Sequence, residues 1–343
     1  MTKALLPALG ALLGLTLALV LTLVVFGLPV ADSLRLIWEG SVGSSGGWMR
    51  TAVKATPLML MGLGMAVAWR AGMYNIGGEG QFLAGALGGA AAAKFLTAVP
   101  ALALKPLVLA SGFVWGGLFA LIAGWLLVKR GVNVVISTIL LNFVAIQLFE
   151  WALTGPLQEA KGRTPQTDRL PETMMLFRFD RQNDLHSGVL IALVAVVVVY
   201  AILFLTPTGF RIRLAGENPQ AARANRIPPG RYQLVAMALS GGLCGLAASV
   251  EFLGITGQLA KGFNQQLGFI AIPVALLGNL HPVGVGLSAV YFGGLFAGSE
   301  NLARFSNFGT TVMFVIQGAA VLAYVGVRTV LERRQLAGAE VES

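Results

Sequence analysis

Charge is what this 343-residue chain lacks: 11% of its residues are Asp, Glu, Lys or Arg, against 56% hydrophobic ones. A soluble globular domain carries about a quarter charged residues. A chain this long with so few must cover most of its surface with lipid. Its long unbroken apolar runs exclude a transmembrane β-barrel, whose strands read as ~10-residue alternating segments. Cysteine is nearly absent too. Cys244 stands alone in an apolar run, so no intrachain disulfide can form. His186 and His281 are far apart in sequence and suggest no metal site. No G-x-x-x-x-G-K-[ST] phosphate loop occurs; GALGGAAAAK at 85–94 comes nearest and lacks the glycine directly before its lysine. No paired acids with a histidine support a membrane enzyme.

What remains is a polytopic, all-α membrane protein. Apolar windows fall at 5–28, 56–72, 78–98, 106–128, 132–153, 188–206, 233–254, 267–281, 284–299 and 309–327. About ten transmembrane helices are expected, with 56–72 and 267–281 short against the roughly 17–25 residues a span needs. Residues 5–28 are longer than the ~7–15-residue apolar region of a signal peptide, and read as an uncleaved first span. The net charge of +9 comes from basic residues in loops between spans, where they orient the protein, so nucleic acid is not an expected partner. Lys129 and Arg130 follow the fourth span, Arg211 to Arg231 the sixth, and Arg328, Arg333 and Arg334 the tenth. An inside N-terminus places all three clusters in the cytoplasm, with both termini inside.

Residues 1–343 then form one transmembrane domain. Its first half is 1–154, its second 188–334, and 335–343 is a cytoplasmic tail. An extracytoplasmic loop, 155–187, separates the halves. Five spans per half is an odd number, so the two halves are inverted relative to each other. Outside, GSVGSSGGW in segment 30–55 reads as a flexible stretch, with Trp38 and Trp48 at the membrane interface.

The cytoplasmic loop 208–232 holds RLAGENPQAARANRIPPGR, polar and arginine-rich between two greasy stretches. Asn218 can cap a helix, Pro219 suits its first position, and Pro228–Pro229 ends it. About two turns result, marginal alone and in need of a surface to pack on. Small Ala221, Ala222 and Ala224 would let a partner approach closely. Arg223 and Arg226, three apart, would share a face and pair with its carboxylates. A plain lipid anchor would need neither Gly216–Glu217–Asn218–Pro219 nor three alanines.

This stretch resembles the cytoplasmic coupling motif of ABC-importer permeases, in the group serving ribose, branched-chain amino acids and nucleosides. RAGMYNIGGEGQFLAGALGG (70–89), GVNVVISTILLNFVA (131–145) and GFIAIPVALLGNLHPVG (268–284) look like the same family, and the resemblance covers about 55–327. NIGGEGQ is most like the nucleoside branch; ribose-type members carry a GGIDLS-like stretch there. The group's usual YAGI ending appears here as RANRI, with Asn225–Arg226 replacing small residues. The resemblance implies a fold similar to the vitamin-B12-type importer permease, in the bacterial inner membrane. It implies a non-catalytic subunit without a cofactor of its own, ATP and magnesium being bound by a separate ATPase. Gly216, Glu217, Asn218, Pro219, Ala221, Ala222 and Arg223 would couple to that ATPase. A second permease subunit, identical or homologous, and an extracytoplasmic substrate-binding protein complete the expected assembly.

Polar residues in the apolar runs are candidates for the substrate pathway. Glu79 lies among Gly77, Gly78 and Gly80, either in a broken helix or in a hydrated interfacial loop. Asn75 and Gln81 can bond a sugar hydroxyl or a base edge. Asn142 either lines the pathway or bonds a neighbouring helix. Phe263 and Asn264 suit stacking on a base, and equally an interface belt. GNLHPVG reads as a turn in which Pro282 and Gly284 break the helix and His281 is hydrated. The rival reading is an ion-coupled secondary transporter with Glu79, Glu251 or Glu300 as proton carrier; a passive channel is a further one.

Overall fold

The computed structural model describes residues 16–305 except 18, 97, 98, 264 and 265, together with 315, 318, 319, 322 and 326. Its helices are α1 (Val30–Ser41), α2 (Ser45–Arg70), α3 (Gly78–Phe95), α4 (Ala101–Arg130), α5 (Val134–Thr154), α6 (Gly188–Tyr200), α7 (Pro207–Glu217), α8 (Pro219–Ala224), α9 (Pro229–Glu251), α10 (Leu267–Leu277) and α11 (Pro282–Phe305). Short π-helical turns, Ala201–Leu205 and Phe252–Thr256, extend α6 and α9. Among the described residues, six helical segments are long and apolar enough to cross a membrane: Ser45–Arg70, Leu102–Arg130, Val134–Thr154, Gly188–Leu205, Pro229–Thr256 and Pro282–Phe305. Residues 5–15 and 18 of the expected first span, nearly all of 309–327 and the whole tail lie outside the described residues.

The chain divides into two compact units, one of Met1–Lys54 with Tyr291–Ser343, the other Ala55–Val290. In the first, Leu19, Leu23, Leu28, Ile37 and Leu302 form a buried cluster. The stretch GSVGSSGGW is a correction to the expected flexibility, since it is the end of α1, a tight turn and the start of α2. The Ser44 hydroxyl accepts the Gly47 N–H at 2.9 Å and so caps α2 eleven residues earlier than the apolar window suggests. Gly47 is there for closeness, because a Cβ would stand 2.7 Å from the Glu39 carbonyl oxygen. Trp38 and Trp48 are exposed.

In the second unit, α3 is the buried hub. Its sequence, GEGQFLAGALGGAAAAKF, is too glycine-rich and polar to face lipid, and most of it is buried. Glycines let the backbones touch. A Cβ on Gly85 would overlap the Gly245 Cα, one on Gly245 the Gly112 carbonyl, and one on Gly116 the Gly241 carbonyl. Gly112/Gly116 on α4 and Gly241/Gly245 on α9 are both G-x-x-x-G pairs, the spacing that lets helices cross in contact in lipid. On α5 and α6 the large apolar residues point outward instead: Leu140, Phe143, Val194 and Val197 are all exposed.

Segment 155–187 is docked rather than loose. The π turn 252–256 withdraws carbonyls from the ordinary helical ladder, and the segment takes them. Leu176 N–H donates to the Leu253 carbonyl at 2.8 Å, and Arg178 Nη2 donates to those of Gly254 and Ile255 at 3.2 and 3.3 Å. Its hairpin pairs β1 (Arg178–Asp180) with β2 (Leu185–His186). His186 is fully buried, its Nδ1 accepting the Gly188 N–H at 3.0 Å. Burial first, then the Arg178 guanidinium, pushes this imidazole down to about 4. A free histidine titrates near 6.5. Below that pH the unfolded chain takes up a proton that the folded one refuses. The neutral histidine's contribution is therefore complete above pH 6.5 and is lost as pH falls to 4, a difference on the order of 3 kcal/mol. The melting temperature in detergent is expected to drop across that window, and His186→Gln to flatten the drop. An unchanged slope in the variant would contradict the assignment.

Candidate functional site

The polar loop folds as its residues dictate. Thr206 caps α7 by accepting the Gly209 N–H at 3.1 Å. Asn218 leaves helical geometry and its side chain accepts the Ala221 N–H at 2.9 Å, with Pro219 opening α8. Here the structure follows the expected start signals. The end differs: α8 stops at Ala224, and Arg226 adopts φ 58° beyond it, so Arg223 and Arg226 do not share a helix face. Ala222 is fully buried against its own chain, while Glu217, Asn218, Pro219, Gln220, Arg223 and Ala224 are exposed. The outward surface is thus polar, with Ala221 half-buried at its edge.

This helix pair is seated on the membrane helices through glycine. A Cβ on Gly216 would collide with the Arg70 carbonyl and stand 2.6 Å from the Ala71 carbonyl carbon and the Gly72 nitrogen. Gly72 itself has φ 74°, a conformation only glycine adopts freely. Nearby, Phe204 lies under both Arg213 and Arg70, at 4.8 and 5.2 Å from its centroid. Arg70 Nε also donates to the Leu280 carbonyl at 2.6 Å. His281 is half-buried and packs on Phe204 and Tyr200, with centroids 5.2 and 5.7 Å apart. Desolvation and the Arg70 charge hold its pKa below the usual range. Pro282 does not break a helix but opens α11; Gly284 lies within α11 and lets it approach Gly278.

The turn at 70–72 leads into a non-helical stretch, 73–77, braced by buried amides. Asn75 Nδ2 donates to Gln81 Oε1 and to the Ser240 hydroxyl, and its Oδ1 accepts from Gln81 Nε2 and Gly77 N–H, at 2.8 to 2.9 Å. Two donors and two lone pairs are all an asparagine side chain has, so Asn75 is saturated. Asn142 holds the same stretch from α5, accepting the Gly80 N–H at 2.8 Å and donating to the Ile76 carbonyl at 3.1 Å. Thr138 accepts the Ile76 N–H at 3.2 Å. None of Asn75, Gln81, Asn142 and Thr138 is more than 3% exposed, so the network faces protein on every side.

Glu79 is likewise buried, not in a hydrated loop. It lies in the first turn of α3, and its Oε2 accepts the Gly268 N–H in the first turn of α10 at 2.7 Å. One carboxylate thereby serves two helix N-termini, each with unpaired N–H groups and a partial positive charge. Phe263, also buried, stacks with Phe82 and Phe149 at centroid distances of 5.4 and 6.2 Å. Asn264 lies outside the described residues. The fold therefore gathers Asn75, Glu79, Gln81 and Asn142 at one crossing of α3, α5, α9 and α10, with 216–223 joined to it through the 70–72 turn.

Several close approaches had a readable signal, the two G-x-x-x-G pairs, that the apolar windows alone passed over. The Ser240 and Gly268 partners had none, being 165 and 189 residues away from the groups they bond.

A helical membrane chain with this loop has a known counterpart. Residues 48–328 match the family model described as branched-chain amino acid transport system / permease component, and the chain belongs to that family. It is accordingly a multi-pass, non-catalytic permease subunit of an ABC importer, related to nucleoside and sugar permeases. A glucose ABC transporter permease protein of Haloferax volcanii is 33% identical over 315 residues, 88% of this chain and 81% of that one. A guanosine ABC transporter permease protein of Bacillus subtilis is 32% identical over 328 residues, covering 94% and 93%. A second guanosine permease protein of that bacterium is 28% identical over 253 residues, covering 71% and 78%.

Proposed function

We propose that this permease carries nucleosides across the inner membrane of a bacterium, and that the surface 216–223 transmits force from a separate ATPase. The observation that carries this is the capped, outward-facing α8, which directly follows α7, itself fixed through Gly216 backbone-to-backbone on the turn that enters the buried amide network. Similarity to guanosine permeases over nearly the whole chain supports the cargo. Two guanosine permeases of Bacillus subtilis both resemble it, which favours a pair of different permease subunits over two identical ones. The assembly would include two ATPase subunits and an extracytoplasmic binding protein that selects the cargo.

Ten spans in two inverted halves, with both termini and the coupling loop in the cytoplasm, complete the reading. Asn75, Glu79, Gln81 and Asn142 are best suited to shaping the pathway wall, because each is buried and already bonded within the protein. Phe263, stacked on Phe82 and Phe149, would close the wall just before the start of α10. Proteoliposomes holding the whole complex and its binding protein test the reading with labelled guanosine and glucose. ATP-dependent guanosine uptake that survives an uncoupler is expected. Uptake that collapses with the uncoupler and continues without the ATPase would make the chain a secondary transporter.

A further inference from the structure

One charged pair lies on two membrane-crossing helices of a chain otherwise poor in charge. Lys54 Nζ on α2 and Glu300 Oε1 on α11 are 2.5 Å apart, and both side chains are about one-third exposed, at 29% and 30%. A charge inside a span costs about 2.5–3.5 kcal/mol by insertion measurements, so such groups turn to water or to protein, not to lipid tails. The pair is not closed on itself. Lys54 uses one of three N–H donors and Glu300 one of two carboxylate oxygens. Among the described residues neither has another hydrogen-bonding partner.

The neighbourhood is polar as well. Ser299, next to Glu300 in sequence, is 2% exposed and its hydroxyl has no partner among the described residues. Asn301 donates to the Leu36 carbonyl at 2.8 Å, and the Thr51 hydroxyl, one turn before Lys54, donates to the Ser41 carbonyl at 2.9 Å. These bonds fix the backbones on which the pair stands. A structural ion pair in a low-dielectric site is stabilising only when its remaining donors and acceptors are filled. This one leaves them open on an exposed side.

We infer that Lys54 and Glu300 line the aqueous translocation path and hydrogen-bond the hydroxyl groups of passing cargo. The ammonium donates to a hydroxyl oxygen and the carboxylate accepts a hydroxyl proton. The pair has no net charge, so it favours neither cations nor anions and suits a neutral, hydroxyl-rich solute such as a pentose or hexose moiety. The inference rests on the importer reading above, and takes from it only that the cargo is neutral and hydroxylated.

The test uses the complete importer in vesicles. Cys244 is buried, which leaves a quiet background for thiol labelling. Lys54→Cys and Glu300→Cys, made singly, should each react with a charged, membrane-impermeant thiol reagent, and the reaction should stop uptake. Glu300→Gln, nearly isosteric, should raise the KM for uptake about tenfold, the loss of one charge-assisted bond, with ATPase activity and subunit assembly unchanged. Cysteines that stay unlabelled in assembled transporter would overturn the inference. So would labelling that leaves uptake intact, or an unchanged KM in Glu300→Gln. Labelling that blocks uptake of glucose but finds no guanosine transport would overturn only the cargo assignment.

Discussion

Replacing Gly245 with valine will leave little or no folded protein to purify. The new Cβ would lie within the Gly112 carbonyl, 2.9 Å from the Gly112 carbonyl carbon and 3.1 Å from the Gly116 Cα. On its other side Gly85 already touches the Gly245 Cα. The obstacles are backbone, so no rotamer change relieves them; α4 and α9 must separate along their length. That movement would also stretch the bond from the Ser249 hydroxyl to the Val108 carbonyl, already 3.3 Å. Overpacking a core costs about 1–3 kcal/mol when side chains can yield, and more when they cannot. A total stability of about 5–15 kcal/mol leaves little room for such a loss at the hub helix. Gly286→Ala is the control, since its Cβ would meet only the Val196 side chain at an ordinary 3.5 Å. Size-exclusion profiles and melting temperatures in detergent decide it. A Gly245→Val protein with wild-type yield and melting temperature would refute the packing account.

Gly216→Val should cut uptake at least about tenfold, while the protein still inserts and the assembled complex still hydrolyses ATP. The contact it breaks is the one between the end of α7 and the 70–72 turn, where Gly72 is held in left-handed geometry and gives little freedom to yield. A valine would push α7 and α8 away from the stretch held by Asn75 and Asn142. Nucleotide-driven motion of α8 would then no longer reach the helices. Gly216→Ala should fall between valine and wild type. Fractional uptake per ATP hydrolysed separates this from misfolding, which would lower both. Wild-type uptake in Gly216→Val would show that force travels by another route.

Where local chemistry decides the outcome, the residues alone are informative. Asn218 and Pro219 specify a helix start wherever they occur together, and α8 begins at them. Contact-determined features were hidden. Gly46–Gly47 suggests a flexible linker until Glu39 and Ser41 are seen pressing on Gly47, and Ser44 is seen capping α2. Arg226 sits where an arginine on the α8 face was expected, but Ile227 N–H turns back to the Ala222 carbonyl and forces it past the helix end. Amides at 75, 81 and 142 were visible as unusual polar groups; that Asn75 pairs with Gln81 and that Asn142 bonds the backbone at Ile76 and Gly80 could not be read, because the partners depend on how the chain turns and which helices cross. Lys54 drew no notice, being one lysine before an apolar window. Only its proximity to a glutamate 246 residues later gives it meaning.

The central claim is that α8 faces the cell interior and contacts a motor this polypeptide lacks. A single cysteine at exposed Gln220, in a chain with Cys244→Ala, measures it directly when the importer is isolated with its ATPase and treated with a short thiol cross-linker. A cross-linked permease–ATPase product, with labelling of position 220 only from the cytoplasmic side, is the predicted result. Labelling only from outside the cell, or active transport with no cross-link to the ATPase at any position from 217 to 224, would contradict it.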